Sequence, residues 1–173
     1  MTGNYLLTVG ALALLSILIL STNNSIQNND ISITESKIII TGTSLGQTLI
    51  DEIRSKVFDE AEISGSVSSE SDLSSSLGPD GGENFTMPDS AVSNTFLSAS
   101  NYNDIDDYNG YIRIVDTPNA ENFTLTCSVT YAELSNPDVS AGSKSYCKKV
   151  TVTVTSPFFS SIPSIVLKYA FTY

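Results

Sequence analysis

Residues 5–20 read YLLTVGALALLSILIL and form what we call the apolar segment. It is uncharged and apolar apart from Thr8 and Ser16, and no charged side chain precedes Asp30. The segment is short for a lone membrane span, which needs about 20 residues, and its length fits the core of a secretory signal. However, no Lys or Arg precedes it and no Ala-x-Ala pattern follows it, as a signal peptide would require.

A third interpretation is a helix that lies in the bilayer as a monomer and then packs against copies of itself. An uncharged helix at the N-terminus suits this role, and Gly10, Ala11 and Ala13 would allow close approach between helices. The residues that we expect to form this assembly helix are Leu6, Leu7, Val9, Gly10, Ala11, Leu12, Leu14, Leu15, Ile17, Leu18 and Ile19.

An amphipathic helix is predicted over residues 31–60. Apolar residues recur there at three- and four-residue spacing, with charged residues mostly on the other side. The recurring positions are Ile38, Gly42, Leu45, Leu49, Ile53 and Val57. No proline precedes Pro79, so the N-terminal helical region is expected to cover residues 1–62. Four asparagines at residues 21–30 suit a helix interior poorly, and they predict a weak point, frayed or extended, that would divide the region into two helices.

Residues 63–100 are rich in Ser, Gly and Asp and are predicted to form a long surface loop. Beyond them, residues 101–173 show the two-residue period of β-strands. In residues 123–131, for example, Phe, Leu, Cys, Val and Tyr alternate with Thr and Ser. Similar patterns predict strands at residues 110–116, 150–155 and 165–173. An antiparallel sheet with one apolar face needs a cover, which the amphipathic helix would provide, so the predicted fold is α+β.

The two cysteines, Cys127 and Cys147, both fall in the predicted β domain. A disulfide is the natural expectation for an extracellular domain, and a pair of free buried thiols is the alternative. Direct pairing would set Leu125 opposite Lys149 and would turn Val150 and its alternating partners to the wrong face. A β-bulge near residue 148, or a meeting of the cysteines at the sheet margin, would remove this conflict.

Composition excludes several classes of function. The net charge of −11, with only 8 Lys and Arg, argues against a nucleic-acid partner. The chain has no His, so Cys-His catalysis and Cys/His metal sites are impossible. No phosphate-binding loop or nucleophile elbow is present, and we do not expect an enzyme.

The order of these segments resembles the type IV pilin and pseudopilin superfamily. Its members have an N-terminal apolar helix with an amphipathic continuation, a variable loop, and an antiparallel sheet closed by a disulfide. Residues 103–110, NDIDDYNG, are similar to an acidic Asp-x-Asp-Asp-Tyr-x-Gly segment of some pilin-like proteins. The resemblance implies a structural subunit of an extracellular filament, a helical homopolymer whose subunits lie in the inner membrane before assembly. The filament's task would be among adhesion, motility, secretion and DNA uptake.

Family members carry a Glu five residues into the mature chain, where it pairs with a neighbour's N-terminal amine. Counted from Met1 that position is Tyr5, and counted from Asn4, after a leader ending at Gly3, it is Thr8. Neither residue is acidic, so docking between subunits would rest on helix packing. No basic leader precedes Gly3, which is expected if the chain is already mature or is processed differently.

Two further kinds of site are predicted in the polar regions. Asp104, Asp106 and Asp107 could supply oxygen ligands to calcium, and the alternative is a solvated turn in which they cap backbone amides. Asn-x-Ser/Thr sequons at Asn23, Asn84 and Asn122 are possible glycosylation sites.

The sequence is also compatible with two rival functions. One is a membrane-anchored surface-binding module, adhesin-like or lectin-like, whose β domain recognises a carbohydrate or a partner. The other is a secreted β protein whose first segment is a removed signal.

Overall fold

The computed structural model describes residues 2–91, 95–118 and 120–173. Met1, residues 92–94 and Asn119 fall within the predicted helix, loop and β domain and lie outside the described residues. The chain divides into two compact units, residues 1–37 and 38–173. The described part of the first unit is helical and belongs to helix α1, Thr2–Arg54.

No break occurs in α1 at residues 21–30, so the prediction of two helices is wrong. Thr22 and Ser25 donate hydrogen bonds to the carbonyls of Leu18 and Ser21, at 2.9 and 3.0 Å, and therefore do not compete with the helical backbone. An asparagine costs a helix less than about 1 kcal/mol, and no proline removes a backbone donor. The predicted weak point is therefore tolerated.

In the second unit, α1 packs on a β-sheet from Ile38 onward. Ile38, Leu49 and Ile53 are buried and belong to the same core cluster as the sheet residues. Gly42 and Gly46 allow the helix to approach the sheet closely. A Cβ atom on Gly46 would lie 2.7 Å from Leu167 Cδ1 and 3.1 Å from Val154 Cγ2.

The helix ends at Arg54, earlier than the predicted end at residue 62. The next residues leave the helix because Val57 pairs with another segment: its N–H donates to Asn103 O, and its carbonyl accepts from Ile105 N, at 3.1 and 3.0 Å. Asp59 then caps the short helix α2, Glu60–Ser64, by accepting a hydrogen bond from Ala61 N. The change to an extended backbone at Val57 carries Phe58 into the core.

Within the described residues, the sheet has six strands. They are β1 (Asp89–Ser90), β2 (Ile112–Thr117), β3 (Ala120–Glu133), β4 (Asn136–Ser140), β5 (Cys147–Thr155) and β6 (Ile165–Thr172). Their order is β1-β2-β3-β5-β6, with β4 paired to the end of β3. The pairs β2–β3, β3–β5 and β5–β6 are antiparallel, as the alternating patterns predict. β1 pairs parallel with β2, which makes the sheet mixed.

The predicted α+β class, with a long N-terminal helix packed on a sheet, is confirmed. The region expected to be a surface loop also contains β1, helix α3 (Leu97–Asn101) and a 3₁₀ turn at Glu70–Asp72. Leu73 and Asp89 in this region are buried, so it contributes to the core.

Cys127 and Cys147 are both free and buried, and the predicted disulfide is wrong. Cys127 lies opposite Val152 in β5, and Cys147 lies opposite Thr172 in β6. Cys147 is thus five residues along β5 from the partner of Cys127, about 17 Å at the usual rise per residue. A disulfide needs Cα atoms about 4.4–6.8 Å apart. The register instead pairs Val129 with Val150, so both strands bury their apolar face.

Candidate functional site

The apolar segment exposes its side chains on every side of α1. The exposed fraction of its large apolar residues ranges from 51% at Leu15 to 74% at Leu7. These exposed residues include Leu7, Val9, Leu12, Leu14, Leu15, Ile17, Leu18 and Ile19 of the predicted assembly helix, while the side chain of Leu6 lies outside the described part. A helix that is apolar all round is typical of one buried in a membrane or among other helices. Gly10 has open space where a Cβ would lie, and Ala11 is exposed.

The two aliphatic hydroxyl groups of the apolar segment are satisfied within the helix. Thr8 Oγ1 donates to Tyr5 O at 2.9 Å, and Ser16 Oγ donates to Leu12 O at 2.8 Å. In a medium without water, an unsatisfied polar group costs several kcal/mol, and these internal bonds remove that cost. Neither of these two hydroxyls therefore needs water as a partner, and the phenol of Tyr5 lies exposed at the start of the segment.

By length and composition alone, α1 is long and apolar enough to cross a membrane. Its most apolar window has a mean hydropathy of 2.1 and none of that window is buried within the described structure. A signal sequence near the N-terminus has the same properties. The coarse expectation of a membrane-associated segment is therefore supported, and the extracellular location stays a prediction.

The acidic stretch at residues 103–110 lies in the interior of the second unit. Asp104, Asp106 and Asp107 are buried, and Lys148 reaches Asp106 from β5. Lys148 Nζ lies 2.6 Å from Asp106 Oδ1 and 2.8 Å from Asp59 Oδ2, and it also donates to Phe58 O at 2.6 Å. We call Lys148 with Asp59, Asp104 and Asp106 the buried lysine cluster.

The predicted calcium site is therefore wrong. Within the described residues, no group of three Asp, Glu or Cys side chains is placed to hold a metal ion. The Lys148 ammonium already supplies the positive charge that Asp106 needs. Asp107 has another role, because its Oδ2 accepts hydrogen bonds from the backbone N–H groups of Asn103 and Asp104 at 2.9 and 3.1 Å. Asp107 thus caps backbone amides, but in a buried turn and not a solvated one.

The carboxyl groups of the buried lysine cluster have unlike environments. Burial acts to raise the pKa of Asp59, but the hydrogen bond and charge of Lys148, with hydrogen bonds from Ala61 and Ser74, lower it overall. The pKa of Asp104 is raised to about 9, first by burial and then by a hydrogen bond to Asp106 and the charge of Asp106. Burial also raises the pKa of Asp106. At pH 7 Asp59 is therefore a carboxylate and Asp104 a neutral acid.

A second buried ion pair joins α1 to β2. The Arg113 guanidinium donates from Nη2 to both oxygens of Glu52 at 2.8 and 2.7 Å, and from Nε to Tyr111 Oη at 2.8 Å. Glu52 also accepts from the hydroxyls of Tyr108 and Ser98. Glu52 raises the pKa of Arg113 against the lowering effect of burial. These bonds fix the last turn of α1 to the sheet.

Open clefts on the β domain border the loop that contains Lys144. Two of them, of about 460 and 520 Å³, are both lined by Ala141, Ser143 and Lys144. Their linings combine hydroxyls, the Lys144 amine and, in the cleft of about 520 Å³, the carboxylates of Glu70 and Glu133. The expectation that the chain is not an enzyme stays a prediction.

The three sequons are all exposed. Asn23 lies on α1, Asn84 lies in the loop before β1, and Asn122 lies in β3 with a φ of 58°. Their side chains are therefore accessible, and glycosylation stays a prediction.

No known protein family, curated protein or solved structure matches this chain. The resemblance to pilins therefore rests on the order of its segments and on the properties of its own residues.

Lys148 and Arg113 were not among the residues predicted to form a site. Lys148 shares the alternation of Val150, Val152 and Val154, and this period places it on the buried face of β5. A lysine at such a position needs carboxylate partners, and the acidic stretch at residues 103–110 supplies one of them. The signal was therefore present in the strand pattern.

Proposed function

We propose that this chain is the structural subunit of a type IV pilus-like extracellular filament and that it polymerises through its apolar segment. The observation that carries the proposal is the exposure of this segment all round α1, with the Thr8 and Ser16 hydroxyls satisfied by the helix itself. Such a surface is suited to a bilayer before assembly and to neighbouring copies afterwards.

The chemistry of docking follows from the residues of the segment. No charged side chain precedes Asp30, so the contact between copies rests on van der Waals packing of Leu, Ile and Val, with close approach at Gly10 and Ala11. Repeated contacts of one face with a different face of the next copy do not close, and they generate a helical filament. The acidic β domains would form its outer surface and keep it soluble.

The first experiment images negatively stained material sheared from cells that produce the chain, with mass spectrometry of the filaments. Filaments that contain this chain with residues 5–20 retained are the expected result. A chain that stays monomeric in the membrane would indicate the anchored surface-binding module instead. A chain released without its apolar segment would indicate a removed signal, and either outcome would refute the proposal.

A matched pair of substitutions tests the contact surface. Leu14→Lys places a charge in the apolar segment, and Leu134→Lys places the same charge at an exposed leucine after β3. We expect L14K to abolish filaments while L134K retains them, because only the first charge would be buried in the core of the assembly. Near-ultraviolet circular dichroism of the tyrosines checks that both variants keep a folded β domain. Equal filament yields from both variants would contradict the proposed role of the segment.

A further inference from the structure

The buried lysine cluster brings an amine and a carboxyl group into reacting distance. Lys148 Nζ is fully enclosed, with 0% of its side chain exposed, and lies 2.6 Å from Asp106 Oδ1. At ordinary hydrogen-bond angles this places the nitrogen about 3.5 Å from the carboxyl carbon, close to the separation of a near-attack geometry. The ring centroids of Phe58 and Tyr131 lie 4.7 and 5.6 Å from Nζ and help to exclude water.

The two other carboxyl groups of the cluster differ in their hydrogen bonds. Asp59 accepts hydrogen bonds from the backbone N–H groups of Ala61 and Ser74 and from the Tyr131 hydroxyl, besides the one from Lys148. This environment stabilises a carboxylate that can take up a proton from the ammonium.

One carboxyl oxygen of Asp104, Oδ2, receives no hydrogen bond from the described residues. This oxygen is buried, whereas the other, Oδ1, accepts a hydrogen bond from Asp107 N at 3.2 Å. A proton on Asp104 would satisfy this oxygen by donation to Asp106. The raised pKa of Asp104 agrees with a neutral acid at this position. The amine, its electrophile, a proton acceptor and a proton donor therefore lie together in one water-poor site.

We propose that the side chains of Lys148 and Asp106 condense to an intramolecular amide bond after the β domain has folded. Asp59 accepts a proton from the Lys148 ammonium, and the free amine attacks Cγ of Asp106. Asp104 donates a proton to the Asp106 carboxyl and recovers one from the attacking nitrogen.

The final step breaks the bond between Cγ of Asp106 and one of its oxygens, which leaves as water with the proton held by Asp59. In the balance, two protons of the ammonium and one oxygen of Asp106 form the water. Asp59 and Asp104 end in the protonation states in which they began, and no oxidant or cofactor is needed. The reaction replaces two buried charges, which are costly to desolvate, by a neutral amide.

The bond would join β5 to the turn before β2, across 42 positions of the sequence. A link of this length restricts the unfolded chain in the same way as a disulfide, which this chain lacks. The proposal does not depend on the filament function, because it concerns the interior of the β domain alone.

Mass spectrometry of the full chain, purified in detergent and kept at neutral pH, tests the proposal. We expect the intact mass to be one water lower than the sequence mass, and a protease digest to contain a branched peptide that joins Lys148 to Asp106. Succinimide formation at Asp80, which precedes Gly81, would also release one water. The digest distinguishes the two reactions because it shows which peptide has lost the water. A full sequence mass with no branched peptide, or a loss of water located only at Asp80, would overturn the proposal.

Three variants sharpen the test. Lys148→Arg keeps the positive charge but removes the amine, and it should show the full mass. Lys149→Arg changes the neighbouring lysine, whose Nζ donates to Asp138 O, and it should keep the loss of water. Asp104→Asn should slow the appearance of the branched peptide at least tenfold, and an unchanged rate would refute the role of Asp104. The wild-type mass decides the central point even if a variant fails to fold.

Discussion

The ion pair between Arg113 and Glu52 determines how firmly α1 is held on the sheet. We predict that Arg113→Met destabilises the folded β domain by about 3 kcal/mol, the lower end of the range of about 3–5 kcal/mol for breaking a buried ion pair. The lower end applies because 18% of the Glu52 side chain is exposed and because Tyr108 and Ser98 still donate to Glu52 at 2.9 and 2.7 Å. Methionine fills much of the space of the arginine stem, so a cavity contributes little.

Urea denaturation of the full chain in detergent, followed by the near-ultraviolet circular dichroism of tyrosine, measures this change. The chain contains 8 Tyr and no Trp, so the signal comes from tyrosines, three of which lie buried near this pair. With an m-value of about 1–3 kcal/mol/M, the midpoint should fall by about 1–3 M while the m-value stays constant. A cycle with Glu52→Gln should give a coupling energy of about 1.5 kcal/mol or more.

A surface ion pair provides the matched control. Lys168 Nζ lies 4.0 Å from Asp138 Oδ1, and both side chains are largely exposed. We expect Lys168→Met to change the stability by less than about 1 kcal/mol. If R113M cost no more than K168M, the Arg113–Glu52 pair would not hold the helix on the sheet, and the reasoning from its burial would be refuted.

Three other features of the β domain have measurable consequences. Cys127 and Cys147 should resist alkylation at neutral pH, because burial raises the pKa of both thiols, that of Cys127 to about 12. After denaturation without reductant, the intact mass of the treated protein should show two alkyl groups, because both thiols are free. Burial and a neighbouring carboxyl raise the pKa of Glu83 from 4.5 to about 7, so the folded state holds a proton that the unfolded state has lost, and stability should fall as pH rises through this window. Urea midpoints at pH 5 to 8 should show that Glu83→Gln flattens this dependence, by at most about 1 kcal/mol because Glu83 is partly exposed. Gly46→Ala should destabilise the folded state by about 1 kcal/mol, because the cost of overpacking, about 1–3 kcal/mol, exceeds the gain of about 1 kcal/mol in helix propensity. Ser44→Ala, at an exposed position of the same helix, should not lower the stability in the same urea denaturation assay.

The parts of the fold that follow from a short-range pattern were predictable. Residues 123–131 alternate between apolar and hydroxyl side chains, and the structure buries Phe123, Leu125, Cys127 and Val129 on one face of β3. The spacing of Ile38, Leu49 and Ile53 likewise identified the face of α1 that covers the sheet. Both patterns are direct consequences of the periods of the helix and the strand.

Elements that depend on distant partners were not predictable in the same way. β1 has only two residues, and it exists because Asp89 and Ser90 pair with β2, more than twenty residues later. The end of α1 depends on Val57 pairing with the stretch at residues 103–105. The local sequence of residues 55–62 does not indicate this pairing, because its pattern of apolar and acidic residues still suits a helix.

The disulfide and the calcium site failed for a related reason. Each was inferred from residue types alone, whereas the register of β3 and β5 decides which side chains meet. That register is set by the burial of Val150, Val152 and Val154, and it separates the cysteines. The same register carries Lys148 to the acidic turn, where its ammonium pairs with Asp106. One physical constraint, the burial of a valine face, therefore overturned both predictions.

The second unit contains buried charged residues whereas the apolar segment contains none, and this difference determines which contacts could hold the proposed filament together. The second unit buries its charges in pairs, which fix Arg113 to Glu52 and Lys148 to two carboxylates. The apolar segment carries no charge at all, so a charge pair between neighbouring segments cannot set the register of assembly. In the proposed filament, register must come from shape, with Gly10 and Ala11 as the positions where a neighbouring helix can approach most closely. Packing of this kind tolerates exchange among Leu, Ile and Val but not a larger residue at Gly10, so the specificity of the assembly would be concentrated at its smallest side chains.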